Sequence, residues 1–316
     1  MTLTPHEAAV RLAAGGIVAL PTETVYGLAA RADDDAAVAQ IFAAKGRPSD
    51  HPLIVHVADA AAAQHFAGEW PALAQQLTAA FWPGPLTVIV PRRAGVAQAA
   101  AGGQATVGLR CPAHPHFHAV LEAAVALGVP GLAAPSANRF GRVSPTTAAH
   151  VLQEFDGTVP VVDGGACGVG IESTIVDCSR GRPVLLRPGM VDAAQIEAVL
   201  GEPLVAPDAQ APKASGTLEA HYAPRARVRL WAGADLQRAL SGPHPAGLTV
   251  YSRTPWAAGP WAAFPADPDT AAQHLFATLR ALDDAGAQEI WVEAPPADDP
   301  RWAGVLDRLR RAAAAG

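Results

Sequence analysis

Residues 17–30 read IVALPTETVYGLAA, and this stretch combines a short apolar run with a polar loop. Residues 17–20 are short and apolar, which predicts a buried strand that ends at Pro21. The loop that follows carries two hydroxyl groups, a carboxylate and a phenol between Thr22 and Tyr26. Polar groups at a strand end often face a ligand in α/β folds, but the same residues also suit a turn with a helix cap. The spacing alone leaves both interpretations open.

Helices and strands are mixed on both sides of this stretch. Thr4, Pro5 and Glu7 form a capping pattern that predicts a helix ending at Gly15-Gly16. Further helices are predicted at 33–46, within 58–81, at 116–127 and from Ser144-Pro145, and strands at 53–57, 86–90, 106–109, 159–162, 174–177 and 184–186. The elements do not alternate strictly, which predicts an α/β or α+β domain with a twisted mixed sheet.

A linker separates this domain from a smaller one. Residues 201–217 are rich in proline and small side chains and have no hydrophobic period. Strands at 228–231, 248–251 and 289–293 then alternate with helices near 236–240, at 270–285 and from about 303. This βαβ order predicts a Rossmann-like domain with a parallel sheet. We place the domains at 1–203 and 225–316, with the linker at 204–224.

The composition excludes several classes of protein. The 316 residues include 23 Lys and Arg and 29 Asp and Glu, a net charge of −6, and 50 % of them are hydrophobic. Disordered chains combine low hydrophobicity with high net charge, so disorder is excluded. No excess positive charge is present to attract phosphates, so strong direct nucleic-acid binding is not expected. Only Lys45 and Lys213 are lysines, and arginine supplies the remaining positive charge.

The cysteines and the apolar segments indicate a reduced compartment. Cys111, Cys167 and Cys178 are odd in number and lack CxxC spacing, so neither a disulfide framework nor a structural zinc site is predicted. No apolar run has the length of a membrane span, and the first residues lack the basic and apolar regions of a signal peptide. We therefore expect a cytoplasmic protein without a membrane partner.

The standard nucleotide-binding signatures are missing. The chain has no GxxxxGK[ST] segment, and Gly165, Gly168 and Gly170 have the spacing GxxGxG before a strand instead of a helix. Lys45 and Arg47, at a predicted helix end, suit the helix dipole. They also suit a phosphate clamp, which the rigid Gly-Arg-Pro sequence favours.

Other polar segments follow predicted strands or precede helices. Arg110 ends an apolar strand, where it can meet a carboxylate. Ser136 and Ser144 lie on loops, and Arg187 supplies a further cation at a strand end. Together these residues predict an arginine-lined cleft for a phosphorylated ligand and a small carboxylate ligand. The histidines of segment 114–118 suit a solvated helix start better than a zinc site, because no acidic partner lies nearby.

Seven segments together resemble one family. They are PTETVYGLAA (21–30), KGRPSDHPLIVHV (45–57), FWPGPLTVIV (81–90), VGLRCPAHP (107–115), APSANRFGRVSPT (134–146), DGGACGVGIESTIVD (163–177) and LLRPG (185–189). In this order they resemble the YrdC family. SGTLEAHYAP (215–224), followed by a small α/β domain, resembles the two-domain threonylcarbamoyl-AMP synthases of that family.

The resemblance implies a nucleotidyltransferase. Such enzymes make L-threonylcarbamoyladenylate from L-threonine, bicarbonate and ATP and release pyrophosphate. Mg²⁺ would accompany the ATP without dedicated protein ligands, and no protein metal site is predicted. The product would pass to the tRNA threonylcarbamoyl-transferase machinery, which modifies adenosine 37. Catalysis would come from positioning and charge stabilisation, because no enzyme nucleophile is required.

The resemblance also implies roles for individual residues. The threonine-binding residues would be Thr24, His56, Arg110, the main chain of Ala134, and Ser173. The ATP-binding residues would be Arg47, His51, Thr106, Ser136, Ser144, Arg187 and, reaching back from the linker, Tyr222. Lys45 would act in catalysis by adding charge near the phosphates, and the linker would act as a lid. His51 replaces a usual asparagine and Ser215 a frequent proline, which leaves the contact of His51 open and suggests a looser lid.

Two other functions are alternatives for this sequence. An RNA-binding maturation factor of the same fold would need a basic concave face, which a net charge of −6 does not favour. A carbamoyl-transferring relative, as in hydrogenase maturation, would carry acylphosphatase and zinc-finger segments, and neither is visible in the sequence.

Overall fold

The computed structural model describes all 316 residues and contains ten α-helices and two β-sheets. The helices are α1 Pro5–Ala13, α2 Asp35–Lys45, α3 Ala60–Ala63, α4 Ala72–Phe81, α5 Pro115–Ala126, α6 Ala148–Glu154, α7 Ala193–Leu200, α8 Gly233–Leu240, α9 Pro268–Asp284 and α10 Ala303–Ala313. The strands are β1 Val18–Leu20, β2 Gly27–Arg31, β3 Ile54–His56, β4 Leu86–Pro91, β5 Thr106–Arg110, β6 Leu132–Ala133, β7 Thr174–Asp177, β8 Val184–Arg187, β9 Arg227–Trp231, β10 Leu248–Ser252, β11 Trp261–Ala263 and β12 Glu289–Glu293.

The two sheets confirm the predicted fold class. The first sheet has eight strands in the order β1-β2-β6-β3-β5-β4-β7-β8. The pairs β3/β5 and β4/β7 are parallel, and the other pairs are antiparallel, so the sheet is mixed. The second sheet has the order β11-β10-β12-β9, and all its pairs are parallel. Between β8 and β9 lie only α7 and a linker, and the predicted boundaries at 203 and 225 remain predictions.

The first two helices begin and end where the sequence predicts. Thr4 and Glu7 form a capping box at the start of α1. The carboxylate of Asp34 accepts hydrogen bonds from two main-chain N–H groups at the start of α2. Gly46 ends α2 with a φ of 62°, a left-handed conformation that favours glycine. These local signals are strong because they satisfy helix-end groups without tertiary contacts.

Two predicted elements are wrong, and three are missed. The helix predicted from Ser144 begins instead at Ala148, where Thr147 caps α6. The hydroxyl of Ser144 donates to Glu172, so it does not cap a helix. The segment 159–162 forms only isolated bridges at Val161 and is not a strand. The sequence analysis also missed β2, α7 and β11.

The core of the second domain continues into the first. Its apolar cluster of 19 buried residues includes Val25, Val143 and Ile171 from the first domain and Tyr222 from the linker. These residues pack with α9 and α10, so the second domain rests against the loops that follow β1 and precede β7. Burial of apolar area stabilises this contact. The loops of the first domain are therefore shaped by both domains.

No helix has the length and apolar character needed to cross a membrane. The three cysteines are free and buried. The cytoplasmic location stays a prediction.

Candidate functional site

The ends of several strands of the first sheet surround one cleft. Strands β3 and β5 run parallel, and their last residues, His56 and Arg110, are register partners. Parallel strands bring their carboxyl ends to the same edge, so both side chains lie at the cleft. Ala134 follows β6 directly, and its N–H donates to the oxygen of Ile54 at 3.0 Å. The linker closes the opposite side through Ser215, Gly216, His221 and Tyr222.

Most of the predicted site residues line this cleft together. They are Thr24, Arg47, His56, Arg110, Ala134, Ser136, Ser173, Arg187 and Tyr222. His51 and Thr106 line two neighbouring cavities on the far side of the linker. Lys45 and Ser144 lie behind the wall of the cleft and do not line it. The structure therefore groups most of the candidates but separates these four from the cleft itself.

One end of the cleft suits a small carboxylate ligand. The Nη1 atom of Arg110 donates to the hydroxyl of Thr24 at 2.9 Å, and its Nη2 atom is 2.7 Å from the Glu23 carboxylate. The hydroxyls of Thr22 and Thr24 share a hydrogen bond of 2.8 Å. These contacts fix the guanidinium group of Arg110, which is buried in the cleft wall. A fixed guanidinium group is a strong binding partner for a carboxylate.

His56 is a buried, neutral side chain in the same wall. Burial and the charge of Arg110 lower the pKa of His56 to about 3. Its Nδ1 atom makes no hydrogen bond within the protein. The ring is therefore uncharged at neutral pH, and Nδ1 is available to a ligand in the cleft.

The other end of the cleft contains two arginines, which suits an anionic ligand. Arg187 donates from Nε and Nη2 to the main-chain oxygen of Ser173, at 3.0 and 2.9 Å. Arg47 donates to the oxygen of Pro52 at 2.9 Å, and its Nε atom has no partner. Burial lowers the pKa of Arg47 to about 10, so the side chain remains charged at neutral pH. Two buried cations in one cleft favour phosphate groups.

Lys45 contacts main-chain oxygens instead of the cleft. Its Nζ atom donates to the oxygen of Ser136 at 2.6 Å and to that of Asn138. Burial holds the pKa of Lys45 well below its usual value. Lys45 does not line the cleft, because the carbonyl groups of Ser136 and Asn138 hold its ammonium group in the loop after β6. A catalytic role for Lys45 stays a prediction.

Ser144, Thr106 and His51 also lie outside the cleft. The Ser144 hydroxyl donates to the carboxylate of Glu172, which lines the cleft, but Ser144 itself does not line it. Thr106 begins β5, at the opposite end of that strand from Arg110, and faces the linker. The His51 ring packs edge-on against Phe140 with centroids 5.4 Å apart.

The linker fills much of the cleft. Arg187 donates from Nη1 to the oxygen of Ser215 at 2.8 Å, and Lys213 pairs with Asp50 at 2.9 Å. Gly216 has a φ of 72°, and a Cβ atom there would lie 2.2 Å from the Tyr222 hydroxyl. The cavities around residues 213–216 have volumes of about 30, 10 and 240 Å³. The largest of the three is lined by Arg47, His51 and Phe140 together with residues of the linker.

No group of three His, Cys, Asp or Glu side chains is arranged to hold a metal ion. His114 caps α5 and accepts from the N–H of His116 at 3.3 Å. His118 contacts the oxygen of Pro112 and lies 4.0 Å from the Cys111 sulfur. These histidines form a helix start, as the sequence predicts.

The sequence analysis missed three residues of this region. Glu23 belongs to the PTETVYG segment quoted above, but its pairing with Arg110 was not predicted. Glu172 and His221 both line the cleft, and both belong to segments that the sequence analysis quotes. Burial and the nearby cations lower the pKa of His221 to about 3. Their positions next to Thr24, Ser173 and Tyr222 were the available signals.

Two family models match the chain. The Sua5/YciO/YrdC model, described as telomere recombination, matches residues 11–189. The model described as the C-terminal domain of threonylcarbamoyl-AMP synthase matches residues 191–314.

Similar proteins from two organisms carry the same name. The threonylcarbamoyl-AMP synthase of Bacillus subtilis is 37 % identical over 97 % of this chain and 92 % of its own length. That of Pyrococcus abyssi is 44 % identical over 69 % of this chain, which spans 66 % of that protein. A solved structure of P. abyssi Sua5 complexed with L-threonine has a TM-score of 0.89 and 34 % identity, and covers 98 % of this chain and 94 % of that one.

Proposed function

The chain belongs to the threonylcarbamoyl-AMP synthase family, and we propose that it makes L-threonylcarbamoyladenylate from L-threonine, bicarbonate and ATP with release of pyrophosphate. It is thus a nucleotidyltransferase in which the cleft brings an amino acid and a nucleotide together. The observation that carries the proposal is the juxtaposition of Arg110 with Arg47 and Arg187 in one cleft.

Arg110 and its neighbours suit L-threonine. The guanidinium group of Arg110 would bind the carboxylate, while the Thr24 hydroxyl and the neutral His56 ring offer hydrogen bonds to the rest of the amino acid. The main chain of Ala134 and the hydroxyl of Ser173 complete the predicted set. The related P. abyssi structure in complex with L-threonine supports this choice of amino acid.

Arg47, Arg187 and Ser136 suit the phosphates of ATP. Both arginines carry their charge at neutral pH inside a cleft that excludes much of the solvent, where electrostatic attraction is stronger than in water. Tyr222 would cover the nucleotide from the linker side. His51, Thr106 and Ser144 do not line the cleft, and their roles in ATP binding remain predictions.

Mg²⁺ would accompany the phosphates of ATP and supply positive charge there. No dedicated protein ligand is predicted for it.

The proposed reaction needs positioning more than covalent chemistry. The threonine amine attacks the carbon of bicarbonate, and loss of one water molecule gives a carbamate. A carbamate oxygen then bonds to the α-phosphorus of ATP as the bond to pyrophosphate breaks. Arg47 and Arg187 would stabilise the charge that develops on the phosphates. The linker would exclude water from a product that hydrolyses readily. The product would then pass to a tRNA-modifying transferase that acts at position 37.

The alternative of an RNA-binding maturation factor has less support. The cations of the cleft are buried, and the net charge of −6 does not favour an extended phosphate backbone.

Pyrophosphate release with single omissions tests the proposal. Release is expected only when ATP, L-threonine and bicarbonate are all present. Release that is unchanged without threonine would overturn the proposal, and so would tighter binding of tRNA than of ATP in a gel-shift experiment.

A further inference from the structure

We propose that Arg308, on α10 of the second domain, is a positioning residue for the synthase reaction. Its guanidinium group holds the two main-chain segments that carry Ser173 and Arg187 in the cleft. This inference rests on the proposed function, because those two residues are assigned to threonine and ATP. It gives the second domain a defined part in the reaction beyond the placement of the linker.

The side chain of Arg308 crosses from one domain into the other. It is fully buried, and its Nε atom donates to the Glu172 carboxylate at 2.9 Å. Its Nη2 atom donates to the main-chain oxygen of Glu172 at 3.0 Å, and Nη1 donates to that of Pro188 at 2.7 Å. A guanidinium group is planar and presents its donors in a fixed fork. It therefore fixes the separation of the two segments that it joins.

These two segments are parts of the cleft wall. Glu172 directly precedes Ser173, and Pro188 directly follows Arg187. Arg187 in turn donates twice to the oxygen of Ser173 and once to its hydroxyl, at 3.1 Å. Arg308 joins the two segments from the side of the second domain, and Arg187 joins them within the cleft wall. A shift of Arg308 would therefore move both a threonine-binding and an ATP-binding group.

Arg308 also reaches the linker. Its Cζ atom lies 5.3 Å from the centroid of the Tyr222 ring, and a cation over an aromatic ring is attracted to it. Tyr222 lines the cleft, so the same guanidinium group contacts the wall and the expected lid.

The close approach of α10 makes these contacts possible. A Cβ atom on Gly304 would lie 2.8 Å from the Ile171 side chain and 3.1 Å from the main chain of Gly189. Glycine at this position lets the helix backbone touch the wall segments one turn before Arg308. The helix is therefore seated directly on the residues that its arginine positions.

A purely structural arginine would have a different effect. An ion pair that only joins the domains would change stability, and the lost contact would lower all activities together. A positioning residue would change ligand affinity while the protein remains folded. The Arg308→Lys variant separates these cases, because lysine keeps the charge beside Glu172 but has no fork to join two carbonyl groups.

The experiment measures the Kd values for ATP and L-threonine by calorimetry, together with steady-state pyrophosphate release, in full-length R308K and R308M. Arg253→Met is the control, because it also removes an arginine–glutamate pair of the second domain. The Nη2 atom of Arg253 lies 2.6 Å from the Glu293 carboxylate, and neither residue lines the cleft. We expect R308K to keep a wild-type melting temperature while the Kd for ATP rises about 10- to 100-fold. R253M should bind both ligands as the wild type does.

The inference is overturned if R308K binds both ligands and turns over like the wild type, or if R253M shows the same losses as R308M. If R308M fails to fold, R308K alone decides the question. The proposed function fails separately if the wild-type protein releases no threonine-dependent pyrophosphate, and the binding measurements with ATP still report on Arg308 in that case.

Discussion

The Nη1 atom of Arg187 donates to the main-chain oxygen of Ser215 at 2.8 Å. A predicted phosphate-binding cation is thus already satisfied by a peptide group of the linker. The cavity beneath the linker has a volume of only about 30 Å³. The proposed function therefore predicts that an ATP phosphate at Arg187 replaces this bond, and that binding of ATP is coupled to movement of the linker.

Gly216 offers a test of this coupling. In Gly216→Ala the new Cβ atom would collide with the Tyr222 hydroxyl and push the linker away from the cleft. We expect the kcat/KM for pyrophosphate release to fall about tenfold or more, because the lid no longer closes on the ligands. The matched control is Gly201→Ala, which has the same φ of 72° but open space around the Cβ position. Both variants should lose about 1–2 kcal/mol of stability from the left-handed alanine, so equal activities would contradict the coupling.

Arg47 should affect ATP far more than threonine. The Arg47→Ala variant removes a buried cation from the anion end of the cleft, and a charged hydrogen bond contributes about 1.5–3 kcal/mol. We expect the Kd for ATP to rise about 10- to 150-fold while that for threonine changes little. Calorimetric titration with each ligand alone measures both constants. Equal losses for the two ligands would mean that the clamp assignment is wrong.

Arg110 should have the opposite selectivity. In Arg110→Gln the threonine carboxylate loses its cation, so threonine binding should become undetectable while ATP still binds. The same change leaves the Glu23 carboxylate without a partner, which should cost about 3 kcal/mol of stability. The double variant Arg110→Gln/Glu23→Gln should recover much of this stability without recovering threonine binding. Recovery of both together would show that Arg110 acts on the fold alone.

His56 should make the protein sensitive to acid. Burial lowers the pKa of His56 to about 3 in the folded state, whereas a solvated histidine has a pKa near 6.5, so the unfolded chain binds more protons between these values. The free energy of unfolding therefore falls as the pH drops from about 6.5 towards 3. At pH 5 this one ring contributes a loss of about 2 kcal/mol relative to neutral pH. Denaturant unfolding of the wild type and of His56→Gln at pH 7 and pH 5 measures this loss. An identical loss of unfolding free energy in the two proteins would contradict the assignment of the low pKa to His56.

Local sequence signals predicted much of the fold. The caps at Thr4 and Asp34 and the glycine after α2 act within a few residues, and the structure has all three. The helix expected at Ser144 failed because a distant group competed for its hydroxyl: Glu172 lies 28 positions away in the sequence. Strand β2 was missed because its residues, GLAAR, carry little strand signal on their own.

Some contacts of the candidate site could be predicted from the sequence, and others could not. The register of β3 and β5 brings His56 and Arg110 together, as their strand-end positions suggest. Lys45 could not be placed from its segment, because its partners are carbonyl groups of residues 136 and 138. Arg308 and Glu172 are 136 positions apart in the sequence. No sequence pattern around Glu172 or in helix α10 indicates that the two side chains are in contact.

The proposed function requires that one cleft joins threonine, bicarbonate and ATP into a single product. The most direct test incubates the full-length protein with ATP, L-threonine and ¹³C-labelled bicarbonate and analyses the nucleotide products by mass spectrometry. The proposed function predicts an adduct of AMP and threonine that carries the ¹³C label, and this adduct should be absent when any one substrate is omitted. An unlabelled threonine–AMP adduct, or no adduct beside released pyrophosphate, would contradict it.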